Sequence, residues 1–243
     1  MNILSDVASI LSGLKDALAP ARCIDCLQEG TWYCASCRFH APIHLLRCIG
    51  CENQRPRGTT CLDCKEDTPL TGVISAGPYS HQALARGIEW LKFKGISPLA
   101  EILAALLIPR LSAIAPLDVL ANNAMLAPIP LHAKRFRDRG FNQSEDIARA
   151  IGALCSIQVS PLLIRSRATS SQARLPHELR PHNIDHAFSL AVPEDEYKRR
   201  VAERPIIILV DDVTTTGSTL ASAATAFPPA PEAAIWGAVI AQG

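Results

Sequence analysis

The sequence lacks an excess of charge of either sign. Its 24 Lys and Arg residues and 23 Asp and Glu residues leave a formal net charge of +1 at pH 7. This balance gives no argument for or against a nucleic-acid partner. Apolar residues make up 48% of the 243 residues and charged residues 19%. That composition excludes a disordered chain, and the length allows one sizeable domain with a small additional module.

The sequence also lacks a long apolar run. No stretch of about 18 uncharged apolar residues occurs, which predicts that there is no membrane span. The first twenty residues have no basic segment before their apolar part and carry Asp6, Lys15 and Asp16, unlike a signal peptide. We therefore expect a cytoplasmic protein. In that reducing setting, clustered cysteines are more often metal ligands than disulfides.

Residues 1–20 have apolar side chains at helical spacing. This pattern predicts an amphipathic N-terminal helix that docks on its own protein. Binding to a membrane surface is the weaker alternative, because the opposite face of this helix is not basic.

Eight of the nine cysteines form four Cys-x-x-Cys pairs within the first 64 residues. Each pair offers two sulfurs to one ion, so two pairs complete a tetrahedral zinc site with no open position. We predict a double zinc-ribbon module over residues 21–68, because so short a segment with few large apolar residues needs metal to fold. Sequential pairing is favoured over interleaved pairing; one zinc, an iron–sulfur cluster or redox cysteines are the alternatives. The predicted structural zinc ligands are Cys23, Cys26, Cys34 and Cys37, and Cys48, Cys51, Cys61 and Cys64.

Residues 69–243 alternate between strand-like and helix-like segments. Strands are predicted at 72–80, 124–132, 158–165, 204–212 and 233–242, and helices at 81–95, 97–114, 140–155 and from about 217. Residues 166–204 are predicted to be mainly loop, because they are polar and rich in Pro, Arg and His. The alternation predicts an α/β domain with a mostly parallel sheet covered on both faces.

The segment 206–220 combines a buried strand with a loop of small hydroxyl side chains. Five apolar residues lead into Asp211 and Asp212, and ligands of open α/β sheets bind at the carboxyl ends of strands. Backbone N–H groups and hydroxyls of the loop suit phosphate. The carboxylates would repel phosphate, so they suit the hydroxyls of a ribose. A ribose 5-phosphate site is therefore predicted, and an acidic turn followed by a threonine-rich helix cap is the alternative. The predicted site residues are Asp211, Asp212, Thr214, Thr215, Thr216, Gly217, Ser218 and Thr219.

Two common nucleotide-binding motifs are absent. Neither a Walker sequence, G-x-x-x-x-G-K-[ST], nor the dinucleotide fingerprint G-x-G-x-x-G occurs. Instead, VDDVTTTGST (210–219) resembles the signature with which type I phosphoribosyltransferases bind phosphoribosyl diphosphate (PRPP). More specifically, the chain resembles the ComF family of competence proteins. The motifs that carry this resemblance are APIPLH (127–132), RGFNQS (139–144), SSQARL (170–175), RPHN (180–183), HAF (186–188) and the double Cys-x-x-Cys module.

The resemblance implies a sheet of the type I phosphoribosyltransferase kind, with Asp211 and Asp212 on the PRPP ribose and residues 214–219 on the 5-phosphate. Mg²⁺ would accompany PRPP. The basic segment 132–139, expected to be a loop, would approach pyrophosphate. Alternatively, it touches single-stranded DNA, with Phe136 and Phe141 as stacking surfaces. The residues expected to contact pyrophosphate or nucleic acid are Lys134, Arg135, Arg137, Arg139, Asn142 and Gln143.

The implied role is in DNA uptake or natural transformation, with a helicase-like competence protein as partner. One hypothesis is a Mg²⁺-dependent phosphoribosyltransferase (a pentosyltransferase) that acts on an unidentified acceptor. A second is a non-catalytic protein that senses PRPP or binds single-stranded DNA, and a third is an interaction protein whose zinc module recruits partners. No catalytic triad is found, which suits phosphoribosyl transfer because the enzyme mainly positions reactants and stabilises charge. No catalytic residue is assigned.

Overall fold

The computed structural model describes residues 20–41, 44–165 and 187–243. The chain divides into two compact units, Met1–Pro42 and Ile43–Gly243. The predicted N-terminal helix and the SSQARL and RPHN motifs lie outside the described residues. The division falls between the two cysteine clusters, so the second cluster belongs to the unit that contains the sheet. The domain boundaries after residues 20 and 68 stay predictions.

The described part of the first unit is built around its four cysteines. It contains one short helix, α1 (Ala35–Phe39), whose first turn is capped by Cys34 Sγ accepting from the N–H of Cys37. Few apolar side chains are buried there, and Ile24 is one of them. With so few buried apolar side chains, residues 20–41 depend on their cysteine cluster for stability.

The second unit contains seven strands and seven helices within the described residues. In chain order they are β1 (Gly72–Pro78), α2 (Gln82–Lys94), α3 (Pro98–Leu111), α4 (Leu117–Asn123), β2 (Ala124–Pro128), α5 (Ala133–Arg139), α6 (Gln143–Cys155), β3 (Gln158–Val159), β4 (Leu163–Arg165), β5 (Phe188–Leu190), α7 (Glu194–Glu203), β6 (Ile206–Thr214), α8 (Ser218–Ala224) and β7 (Ala234–Gln242). None of the helices in the described ranges has the length and apolar character needed to cross a bilayer.

Five strands form a sheet in the order β1-β7-β6-β2-β3, and every pair in it is parallel. The central strand β6 is buried along its apolar run, as a strand covered on both faces must be. The predicted α/β fold with a mostly parallel sheet and N-terminal cysteine clusters is confirmed.

Three local predictions differ from the structure. The basic segment is the helix α5, which begins where His132 Nδ1 accepts from the Lys134 N–H and ends at Gly140 in the left-handed region. The predicted strand 158–165 is divided, because β3 joins the main sheet while β4 pairs antiparallel with β5. The predicted loop 166–204 contains β5 and the charged helix α7, which buries only Tyr197 and Val201.

Backbone hydrogen bonds join the second cysteine cluster to the sheet. The chain at Thr59 forms an antiparallel bridge with Gly72, and the Val73 N–H donates to the carbonyl of Gly58 at 2.9 Å. Gly58 has a φ of +68°, and a Cβ there would lie 2.3 Å from the carbonyl oxygen of Val73. Only glycine fits this close approach of two backbones. The cluster segment and β1 therefore form one continuous structure.

Candidate phosphate site and cysteine clusters

Asp211 and Asp212 lie near the carboxyl end of the central strand, 9% and 5% exposed. Asp211 Oδ1 accepts from Ser144 Oγ at 2.8 Å and from the N–H of Asp212 at 2.9 Å. The Asp212 carboxylate forms an ion pair with Lys92 Nζ at the end of α2 and accepts from the N–H of Val213 at 3.0 Å. The pair is held by groups from three elements, α2, α6 and β6 itself.

Burial and the charge of Asp212 raise the pKa of Asp211 to about 7. Hydrogen bonds from Ser144 and from the N–H of Asp212, and the charge of Lys92, act in the opposite direction. Near neutral pH this carboxyl is therefore present in both forms, one of which can donate a hydrogen bond.

The loop after the acid pair is organised by its own hydroxyl groups. Thr214 Oγ1 accepts from the N–H of Gly217 at 3.1 Å, and Thr216 Oγ1 and Ser218 Oγ are 3.0 Å apart. Gly217 has a φ of +74°, which favours glycine. Thr214 and Gly217 are buried while Thr215 and Thr216 are exposed. The loop is thus held by the hydrogen bond between its buried residues Thr214 and Gly217, and its exposed residues present hydroxyl groups to solvent.

The RGFNQS segment lies beside the acid pair. Asn142 Oδ1 accepts from the Ser144 N–H at 3.2 Å, and Asn142 Nδ2 donates to the Ile129 carbonyl at 3.0 Å. Gln143 is buried and its Oε1 accepts from Arg139. Asn142 and Gln143 are therefore bonded within the protein and position Ser144 and Arg139, and their contact with a ligand stays a prediction.

A cavity of about 610 Å³ lies beside Lys92, the partner of Asp212. Arg135 and Arg139, one helical turn apart on α5, face it, whereas Lys134 and Arg137 are exposed residues of the same helix that do not line it. The lining residues are Lys92, Phe93, Gly95, Arg135, Asp138, Arg139 and Phe141. The structure therefore brings three cations together next to the acid pair.

Lys92 and Phe93 are the site residues that sequence reasoning missed. Phe93 is 76% exposed, and the Arg139 guanidinium carbon lies 5.6 Å from the centre of its ring. Burial and the charge of Arg135 lower the pKa of Arg139, while Asp212 acts in the opposite direction. The one available signal was the basic, aromatic end of the predicted helix 81–95, which carries Lys92, Phe93 and Lys94.

The eight cysteines of the N-terminal region form two clusters of four. In each, all four sulfurs lie within 4.8 Å of one another, which agrees with the predicted sequential pairing. Cys26 Sγ and Cys34 Sγ are 3.9 Å apart, and Cys51 Sγ and Cys61 Sγ are 3.7 Å apart. A tetrahedral zinc with Zn–S bonds of about 2.3 Å holds its sulfurs about 3.8 Å apart. Both donor sets therefore fit one zinc ion each.

Backbone N–H groups stabilise thiolate in both clusters. Burial opposes ionisation of Cys23, but N–H groups of Cys34, Asp25 and Cys26 outweigh it and lower its pKa to about 6. Cys48 is likewise buried, and N–H groups of Cys61, Cys51 and Gly50 lower its pKa to about 6. Thiolates are the ligands that structural zinc requires.

The chain is similar in sequence to several known proteins. No protein-family model matches the chain. It is 30% identical over 192 residues to the DNA utilization protein YhgH of Escherichia coli (strain K12), which covers 79% of this chain and 75% of that protein. The YhgH protein of Salmonella typhi is 30% identical over 174 residues (70% and 73%). Competence protein F of Haemophilus influenzae is 28% identical over 207 residues (77% and 86%). The chain belongs to the ComF family.

The ComF resemblance indicated by the sequence motifs is therefore confirmed. In this ComF-family chain, APIPLH leaves β2 beside the acid strand, since the Ile129 N–H donates to the carbonyl of Val210 at 2.9 Å. RGFNQS contacts Asp211 through Ser144. Three motifs that are separated in the sequence thus meet at the carboxyl ends of β2 and β6, where a parallel sheet binds its ligands.

Proposed function

We propose that this protein binds PRPP between the acid pair and the hydroxyl loop of residues 214–219, and that it acts in DNA uptake. The observation that carries the proposal is the buried acid pair, clamped by Ser144 and Lys92, directly before a preformed hydroxyl loop. The DNA role is supported by the names of the relatives, DNA utilization protein and competence protein.

The chemistry of each group suits one part of PRPP. Asp211 and Asp212 would accept from the ribose hydroxyls, while the exposed hydroxyls of Thr215 and Thr216 would donate to the 5-phosphate. Lys92, Arg135 and Arg139 would face the diphosphate from the cavity, because cations stabilise a diphosphate and its departure. Bound Mg²⁺ would neutralise part of the diphosphate charge, and zinc in both cysteine clusters would have a structural role.

Transfer of the phosphoribosyl group to an acceptor is the enzymatic form of this proposal, and PRPP sensing without turnover is its alternative. The two differ in whether pyrophosphate is released. Release in the presence of a nucleobase, nucleotide or nucleic acid from a panel of acceptors would support the enzyme. If no acceptor causes pyrophosphate release while PRPP still binds, sensing is supported.

We also propose that the protein is cytoplasmic and that it acts with a helicase-like partner.

The test is the melting temperature with and without PRPP and Mg²⁺. A ligand at about 100 times its Kd adds roughly 2.7 kcal/mol to the free energy of unfolding. We expect the native protein to gain this stability and an Asp211→Asn/Asp212→Asn variant not to gain it. Asp118→Asn, at an exposed acid on α4, is the control and should respond like the native protein. No shift in the native protein, or an equal shift in the double variant, would contradict the proposal.

Single-stranded DNA is a second candidate ligand of the same region. The observation that favours it is the combination of exposed aromatic rings, Phe93 and Phe136, with the cations of α5. Bases stack on aromatic rings without sequence preference, and the cations contact the phosphate backbone. This candidate predicts binding that weakens steeply with salt.

A further inference from the structure

The second cysteine cluster is in direct contact with the phosphate loop. Ile49 lies between the ligands Cys48 and Cys51, is 7% exposed, and belongs to the same core as Leu209 and Leu220. A Cβ built on Gly217 would lie 2.3 Å from Ile49 Cγ1 and 2.9 Å from Ile49 Cδ1. The side chain of Ile49 therefore fills the space directly against the backbone of the loop.

We propose that Ile49 is a positioning residue for the phosphate loop, and that the second cysteine cluster is a structural part of the PRPP site. This inference rests on the proposed function in naming PRPP as the ligand. It assigns to the Cys48–Cys51 knuckle, the turn of residues 48–51, a role in ligand affinity in addition to its role in holding zinc.

The path of this knuckle is set by the cluster. A Cβ on Gly50 would lie 2.7 Å from both Cβ and Sγ of Cys64, so the turn packs against a ligand of the opposite pair. The Glu52 N–H donates to the carbonyl of Cys48 at 2.9 Å, which closes the turn. Since Ile49 has ligands on both sides, an ion bound to the four sulfurs fixes where its side chain points.

The position of Gly217 in turn sets the loop. Its N–H donates to Thr214 Oγ1, and its left-handed conformation directs the chain from the exposed threonines into α8. If Ile49 were shortened, a void would open behind Gly217 and the loop could relax into it. Phosphate affinity depends on donors that are already in place, so a relaxed loop binds more weakly.

The first cluster supplies a matched control within the same chain. Its knuckle has the sequence Cys23-Ile24-Asp25-Cys26, so Ile24 has the same place as Ile49 in Cys48-Ile49-Gly50-Cys51. Both isoleucines are buried, but Ile24 belongs to the first compact unit, whereas Ile49 belongs to the unit that contains the phosphate loop.

The experiment compares the full-length native protein with Ile49→Ala, Ile49→Val and Ile24→Ala. Zinc content is measured by elemental analysis, and the Kd for PRPP with Mg²⁺ is measured by calorimetry. Hydrogen exchange of the amides of residues 213–218 is measured without ligand. We expect Ile49→Ala to keep its zinc, to weaken PRPP binding by about tenfold, and to speed loop exchange. Ile49→Val should lie between, and Ile24→Ala should match the native protein in PRPP affinity and in loop exchange.

The inference is overturned if Ile49→Ala leaves loop exchange unchanged, or if Ile24→Ala alters the loop as much as Ile49→Ala does. These results do not depend on PRPP. If the native protein does not bind PRPP while Ile49→Ala still speeds loop exchange, the proposed ligand is wrong and the positioning role stands. Should Ile49→Ala fail to fold, Ile49→Val supplies the same comparison with a smaller expected change.

Discussion

Asp211 has its pKa raised from 3.8 to about 7 by burial and by the neighbouring Asp212. Between these two values the folded chain binds more protons at this site than the unfolded chain does. The free energy of unfolding therefore falls as the pH rises through this range. For this group alone, the free energy of unfolding decreases by roughly 2 kcal/mol between pH 5 and pH 7.

We predict that Asp211→Asn removes this loss. The amide keeps the shape of the carboxyl but does not ionise, so the variant should gain stability relative to the native protein as the pH rises from 5 to 8. Urea unfolding at pH 5, 6, 7 and 8 measures the difference, with Asp118→Asn as the control. Parallel pH profiles for the native protein and Asp211→Asn would refute the assignment.

Lys92 balances the buried charge of Asp212. We predict that Lys92→Met destabilises the protein by about 2 kcal/mol, because it leaves a buried carboxylate without its cation, and because the partial exposure of Lys92 reduces the full cost of such a loss. Lys92→Met/Asp212→Asn should recover most of this stability. Thermal unfolding of the two single variants and the double variant measures the coupling.

The control for the Lys92 and Asp212 variants is Lys198→Met, which removes a cation from an exposed ion pair with Glu194. Exposed pairs contribute little, so we expect almost no change. Equal destabilisation by Lys92→Met and Lys198→Met, or no recovery in the double variant, would argue against a buried pair at Asp212.

At the scale of elements, the helix α5 is the candidate DNA contact. If DNA binds there, Arg135→Ala and Arg137→Ala should each lower the slope of log K against log salt by about 0.7 for a single strand. Fluorescence anisotropy with a labelled oligothymidine at several salt concentrations gives the slope. Arg199→Ala on α7, where the arginine is paired with Glu196 and Glu203, is the control. An unchanged slope in both α5 variants would contradict DNA binding by this helix.

The elements that the sequence predicted well are those with strong apolar patterns. The run Ile206 to Val210 indicates a strand because five adjacent apolar residues need cover on both faces. By contrast, α5 has no buried residue and α7 buries only two, so neither has the apolar periodicity by which a helix is recognised. Charged helices on the surface are consequently mistaken for loops.

The hydroxyl loop of residues 214–219 and the grouping of the eight cysteines could also be predicted, because in each case the pattern lies within a short segment. Phosphate as the ligand of the loop stays a prediction. Lys92 and Ile49 could not be predicted. Each acts on a residue far along the chain, Asp212 and Gly217 respectively, and only the packing of the fold brings them together. The motif RGFNQS was placed in the site by family resemblance, but its bond from Ser144 to Asp211 required the structure.

At the scale of the whole molecule, each compact unit contains one cysteine cluster. Among the described residues, the first unit buries few apolar side chains, whereas the second has the core of the sheet. We predict that removal of zinc by a chelator unfolds residues 20–41 first, while the amides of β6 remain protected. Hydrogen exchange followed by mass spectrometry measures this order, and added zinc should restore protection. Simultaneous loss of protection in both units would contradict it.

The place of β1 at one end of the strand order has a consequence for solubility. Its outer side begins with the N–H of Val73, which is bonded to Gly58 in the second cysteine segment. The opposite end of the sheet is the two-residue strand β3, too short to recruit another strand. If the second cluster loses its metal and the segment detaches, the first backbone groups of the edge strand β1 lose their partners. Zinc depletion should then promote edge-to-edge aggregation of this chain. The metal-bound cluster would therefore protect the protein from self-association.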